Sequence, residues 1–180
     1  MKKYLMINLE CIGLQIIFAI VSIVLQNDVI SPKLTSFFTA WLFLWAVHST
    51  FWQLGNKERK SIAIINNNLG LDDTPIKQNR LKGIFVAAPF FVFNVLFLVF
   101  TCLINNDIVV TIQSLLQLPF AGFLPLVGDE LGISYFKPRF IVCLVMYIPC
   151  ITAYFSGSFN FSLTEKYLPK LIYKSKEEKK

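Results

Sequence analysis

GNKERKSIAIINNNLGLDDTPIKQNRLK, residues Gly55–Lys82, is the one long run of charged and turn-forming residues in an otherwise apolar chain. It carries Lys57, Arg59, Lys60, Lys77, Arg80 and Lys82 and separates two hydrophobic halves. Of the 180 residues, 55% are hydrophobic and 16% charged, and eighteen are phenylalanine. A water-soluble domain usually has about a quarter of its residues charged. The deficit makes lipid the expected solvent for much of the surface.

Working outward, four apolar runs are long enough to cross a bilayer as helices, which takes about 20 residues. They are about 4–25, 34–54, 83–104 and 140–159. The reading is an all-α, integral membrane bundle of four transmembrane helices. A single transmembrane domain would cover 1–161, with a cytoplasmic loop at 55–82 and a lysine-rich cytoplasmic tail at 162–180. The N-terminal run reads as an uncleaved first helix, because no small-x-small cleavage pattern follows it.

A fifth run, Ile108 to Gly128, has no charged residue but contains Pro119, Gly122, Pro125 and Gly128. Charge distribution argues against its spanning. Basic residues collect on the cytoplasmic side. Four spans with an inside N-terminus place fourteen of the seventeen basic residues there, leaving Lys33, Lys137 and Arg139 outside. Five spans would export the six tail lysines. The segment is therefore expected to be re-entrant or interfacial, lying flat or dipping in and returning at its prolines.

Smaller signals refine the connections. Gln26-Asn27-Asp28 and Ser31-Pro32 close the first span. Asn66 to Gly70 reads as a turn, because Asn and Gly tolerate the left-handed region. Thr74-Pro75 predicts a helix start running into the third span. Ser61 to Ile65 fits either a short strand or a continuation of the second helix. Ser162-Leu163-Thr164-Glu165 fits a capping box. Ser156-Gly157-Ser158 would let backbones approach at the inner end of the fourth span.

Ionisable residues inside spans are costly and are the first functional suspects. Glu10 and His48 are the two, each about 7–9 Å deep at 1.5 Å per residue. Their helices are consecutive and antiparallel, so the pair could meet as a proton- or cation-linked site. A polar pair that fixes the packing of the two helices, or Glu10 snorkelling to the interface, is the favoured reading. Asn94, near the middle of the third span and close to Pro89, completes this candidate intramembrane polar site. Trp41, Trp45 and Trp52 share one face of the second span with His48. That aromatic stripe reads as a ligand wall for a cationic group or as a packing and interfacial face.

Other groups are weaker. Cys11, Cys102, Cys143 and Cys150 form no C-x-x-C pair and read as small packing residues. Asp72-Asp73 and Asp129-Glu130 lack the further oxygens that calcium needs. No metal site, cofactor or catalytic constellation is expected, and the single histidine argues against an enzyme. The formal charge of +6 sits in clusters flanking the apolar runs. Anionic lipid head groups explain it better than nucleic acid.

The segments FWQLGNKERK (Phe51–Lys60) and NRLKG (Asn79–Gly83) resemble small multi-pass membrane proteins of Gram-positive bacteria. The resemblance covers about a fifth of the chain and implies a similar multi-pass architecture, with no activity attached. The expectation is a non-enzymatic accessory or interaction protein of the bacterial plasma membrane, both termini cytoplasmic, with a membrane protein partner. The alternative is a small transporter or transporter subunit using Glu10 and His48.

Overall fold

The computed structural model describes residues 2–25, 31–68, 74–104, 106–122 and 136–159. The turn at Gln26–Asp28, the acidic pairs Asp72-Asp73 and Asp129-Glu130, the end of the Asn66–Gly70 turn and the whole 162–180 tail with its capping box lie outside the described residues.

Among the described residues, five α-helices follow one another: α1 (Lys2–Leu25), α2 (Pro32–Asn67), α3 (Lys82–Ile104), α4 (Asp107–Leu116) and α5 (Phe136–Ser158). A 3-10 turn, Leu118–Phe120, follows α4. Helices α1, α2, α3 and α5 are long and apolar enough to cross a membrane. They pack as a ring in the order α1, α2, α5, α3. The start of α1, the end of α2, the start of α3 and the end of α5 share one end, here called the basic end.

The outside of this ring is apolar. Phe85 is 74% exposed and Leu103 79%, and Leu5, Ile17, Leu96 and Ile148 are more than half exposed. The inside holds the polar groups. On α1 the buried stripe is Asn8, Cys11, Gln15, Ala19 and Ser22. The polar groups are set among buried apolar side chains such as Phe43, Phe51 and Leu98, and with an apolar exterior this matches a bundle whose outer solvent is hydrocarbon.

Close backbone approach sets the tightest seam. A Cβ on Gly55 would collide with the carbonyl of Tyr154, and one on Gly157 with the carbonyl of Trp52. Two glycines therefore let α2 and α5 run parallel with their backbones in contact. Gly83 likewise leaves room for the Tyr154 ring. The expected approach at Ser156-Gly157-Ser158 is present, with Gly55 as its counterpart.

Helix α2 differs most from expectation. It does not stop at Gly55 but continues to Asn67, 36 residues in all. At 1.5 Å per residue that is about 54 Å, well beyond the ~30 Å hydrocarbon core. Of the two readings for Ser61–Ile65, continuation of the helix is the one observed. The helix expected from Thr74-Pro75 does not form, and residues 74–79 are irregular. Asn66 supplies the reason: its Nδ2 donates to the Ile76 carbonyl and its Oδ1 accepts from the Ile76 N–H, both at 2.9 Å. Those two bonds hold the segment against α2. The start of α3 is marked by Asn79, whose Oδ1 accepts from the Leu81 N–H at 3.1 Å.

Helix α4 is a half-helix that folds back into the ring. Asn106 caps it, accepting from the Ile108 N–H at 2.9 Å, and Asp107 complements its N-terminal dipole. Ten residues span about 15 Å. Its last carbonyl, Leu116, accepts from Gln15 Nε2 at 3.2 Å. Gln15 also donates to Asn94 Oδ1 at 2.9 Å, so the tip of α4 reaches the middle of α1 and α3. The chain then returns towards the end it came from. Phe120 packs edge-on against Phe43 with centroids 6.0 Å apart. The Gly122 N–H donates to Ser36 Oγ, near the start of α2, at 3.0 Å. Of the two expected forms, the described part of 108–128 takes the one that dips in and turns at a proline.

Candidate functional site

Three polar regions lie on or in the ring. The first closes the basic end. Glu58 sits one turn beyond Leu54 on α2, and its side chain is 13% exposed. Oε1 accepts from Tyr4 OH at 2.6 Å, Oε2 from Tyr154 OH at 2.6 Å, and both oxygens accept from Lys82 Nζ at 3.2 and 3.3 Å. One carboxylate thus joins α1, α2, α3 and α5. The Lys82 ammonium also lies 4.7 Å from the centre of the Tyr4 ring. Around this node, Arg80 stacks 3.8 Å over Phe159, and Gln78 Nε2 donates to the Gly55 carbonyl at 3.2 Å. A carboxylate taken from water is retained only when its lone pairs are met, and four donor contacts meet them here.

The second region is the proline break in α3. Pro89 has no N–H, and its ring pushes against the preceding turn. That opens the bond between the Phe90 N–H and the Val86 carbonyl. Asn8 fills the opening: its Oδ1 accepts from the Phe90 N–H at 2.9 Å and its Nδ2 donates to the Val86 carbonyl at 2.9 Å. A side chain of α1 thereby completes the backbone ladder of α3. One turn away, Tyr147 OH donates to the Ile84 carbonyl at 3.0 Å and its ring stacks on Phe91, 4.7 Å between centroids.

The third region is the tip of α4. Gln15, Gln113 and Gln117 are each at most 1% exposed. Gln117 Nε2 donates to the Arg139 carbonyl at 3.3 Å and reaches Cys143 Sγ at 3.7 Å. The Oε1 atoms of Gln15, Gln113 and Gln117 are buried with no hydrogen-bond donor. Arg139 donates to Ser114 Oγ at 3.2 Å on the adjoining face of α4.

The residues singled out from sequence fall into different regions. Asn94 is 3% exposed and belongs to the α4 tip through Gln15. Glu10 is exposed and lines a cleft of about 210 Å³ with Lys3, Ile7, Thr50, Gln53, Leu54 and Lys57. His48 is half-buried and lies elsewhere. No hydrogen bond or ion pair joins Glu10 to His48 among the described residues. At 100° per residue, Thr50, Gln53 and Lys57 lie on one flank of the buried α2 stripe, and His48 lies on the other. Helix α1 packs on the first flank and α5 on the second, so the two residues are kept apart.

The tryptophans share the His48 flank, but Trp41 is 52% and Trp45 60% exposed. They pack on each other, centroids 5.4 Å apart, on the outside of the ring, while Trp52 is half-buried beside α5. Cys11, Cys143 and Cys150 are buried and Cys102 is exposed, all as free thiols.

Sequence reasoning passed over Glu58, Asn8, Gln15 and Gln113. The signals were present. Asn8, Gln15 and Ser22 repeat every seven residues within an apolar helix, and Gln113 and Gln117 are four apart. Uncharged polar residues at that spacing in a span mark its inward face. Glu58 was hidden among Lys57, Arg59 and Lys60, where it reads as a solvated charge.

No protein-family model, curated protein or solved structure matches this chain.

Proposed function

We propose that the chain is a multi-pass protein of a bacterial plasma membrane, with its basic end in the cytoplasm, acting as a non-enzymatic accessory protein that docks a membrane partner. The supporting observation is the extension of α2 beyond the bundle. The Glu58 node fixes its base and the Asn66–Ile76 bonds brace its end. The projecting part presents Lys60, with Lys57 at its base, together with Ile64, 62% exposed, and Ile65, 46% exposed. A braced helix carrying cations and exposed isoleucines is suited to a partner that offers an apolar groove with acidic edges. The basic rim also complements anionic head groups.

The test is affinity purification from membranes in mild detergent, comparing the native protein with an Ile64→Asp, Ile65→Asp variant. A single stoichiometric membrane partner lost in the variant supports the reading, and recovery of the bare chain from both overturns it. Orientation is tested separately. A cysteine at Asn67 should be blocked only by a permeant maleimide, and one at Lys33 also by an impermeant one.

A second reading, a small transporter or transporter subunit, is favoured by one feature: the half-helix α4 ending in the middle of the ring. Uptake into proteoliposomes that is lost on Gln15→Leu would support it, and uptake indistinguishable from empty liposomes counts against it.

A further inference from the structure

Three carboxamide oxygens gather around the last turn of α4 with nothing to accept from. Gln113 begins that turn, Gln117 caps it, and Gln15 is bound to its final carbonyl at 3.2 Å. All three side chains are at most 1% exposed, and the three Oε1 atoms have no donor. An orphaned buried acceptor has given up its hydrogen bonds to water without replacement. Three around one helix turn call for a guest that supplies positive charge or donors.

The surroundings narrow its chemistry. The C-terminal end of a helix carries about half a negative charge, and the tip of α4 directs that end into the ring. Every candidate ligand is a neutral oxygen: the three carboxamides, Asn94 and the carbonyls of the last turn. Divalent cations require carboxylates to offset their charge. Among the described residues, no carboxylate bonds to any of these groups, and no cluster of three His, Cys, Asp or Glu side chains occurs. Among the described residues, the charged side chain beside the tip is Arg139, which donates to Ser114 Oγ at 3.2 Å on the adjoining face. Its charge opposes a cation and sets the affinity low.

We propose that the tip of the half-helix binds one small monovalent cation, held by the oxygens of Gln15, Gln113 and Gln117 and retaining part of its water shell. This inference does not depend on the accessory reading. The cation would also fix α4 against α1 and α3, because its ligands come from both sides of the α1–α4 seam.

The experiment is thermal unfolding of the detergent-purified protein, followed by tryptophan fluorescence. Sodium, potassium and lithium chloride are titrated against choline chloride at constant ionic strength. The expected result is a saturable rise in Tm with one or more of the small cations and none with choline. Gln113→Leu should flatten that rise. Arg139→Gln should move its midpoint to lower concentration, by at least about threefold, because a like charge is removed. If Gln113→Leu does not fold in choline chloride, Gln117→Leu and equilibrium binding of radioactive sodium to the native protein take its place. Equal Tm in all four salts, or a saturable rise unchanged in both leucine variants, overturns the proposal and leaves water as the occupant.

Discussion

Glu58 shows how one side chain can be structural at the rim of a membrane bundle. It accepts two phenolic hydroxyls at 2.6 Å and an ammonium at 3.2 Å, from three other helices. Hydrogen bonds to a charged group are worth about 1.5–3 kcal/mol each. Tyr154→Phe should therefore lower stability by about 2 kcal/mol. Glu58→Gln should cost more, because it weakens all the contacts at once. Lys82→Met should cost least, since the Lys82 side chain is 38% exposed and water can replace its role. Thermal unfolding in one detergent would rank them, and a Lys82 variant worse than the Glu58 variant would refute the assignment. Asn8 makes a second argument at this scale. Asn8→Leu leaves the Phe90 N–H without its acceptor and should cost about 1–3 kcal/mol. In the background of Pro89→Ala, where the α3 ladder can close by itself, the penalty should shrink. A double-mutant cycle measures that coupling, and strictly additive effects would show that Asn8 does not act through the proline break.

Among elements, α2 and α5 form the seam that tolerates least. Gly55 and Gly157 place backbone against backbone, so no side chain can rotate away to make room. Overpacking usually costs about 1–3 kcal/mol when neighbours can shift. Gly157→Val should exceed that range and abolish the monodisperse bundle on size exclusion, whereas Gly13→Ala, with nothing within 4 Å, should be silent. The brace at the end of α2 is of a different kind. Its two bonds come from a single half-buried side chain, Asn66. Asn66→Ala should leave global unfolding nearly unchanged and speed hydrogen exchange and proteolysis at residues 74–79. The helix at Thr74-Pro75 fails to form for the same reason. A capping threonine and a proline are local signals worth about a kcal/mol, and bonds from a residue ten positions away decide against them.

At the scale of the whole molecule, the ring is apolar without and keeps its uncharged polar side chains within, set in a hydrophobic core. Trp41 and Trp45 face outward, so in liposomes containing lipids brominated along their chains both should be quenched, and Trp52 less so. Single-tryptophan variants would measure this, and protection of Trp45 would place a protein partner on that face. The four long helices could be read directly from apolar run length, because the hydrocarbon thickness imposes it. Their limits matched at α3 and differed by one turn at the start of α5. The fold-back of α4 was one of the two forms that its prolines and the distribution of basic residues allowed. Pairing Glu10 with His48 was not legible. It depended on which flank of α2 receives α1, and short connections leave that open.

The sequence by itself carried the four long apolar runs, the clusters of basic residues and the seven-residue polar spacing of α1, the last of which went unread. Each follows from a one-dimensional quantity: run length, charge position or seven-residue spacing. Only the tertiary structure decided what those polar groups meet. Glu58 is a solvated charge in isolation and a four-helix clamp once Tyr4, Lys82 and Tyr154 converge on it. Asn8 becomes part of the α3 ladder only because Pro89 opens that ladder opposite it. The carboxamides of Gln15, Gln113 and Gln117 lose their water only when α4 carries them into the ring. The physical reason is common to all three: a polar group's energy is set by its partners after burial, and those partners lie tens of residues away in the chain.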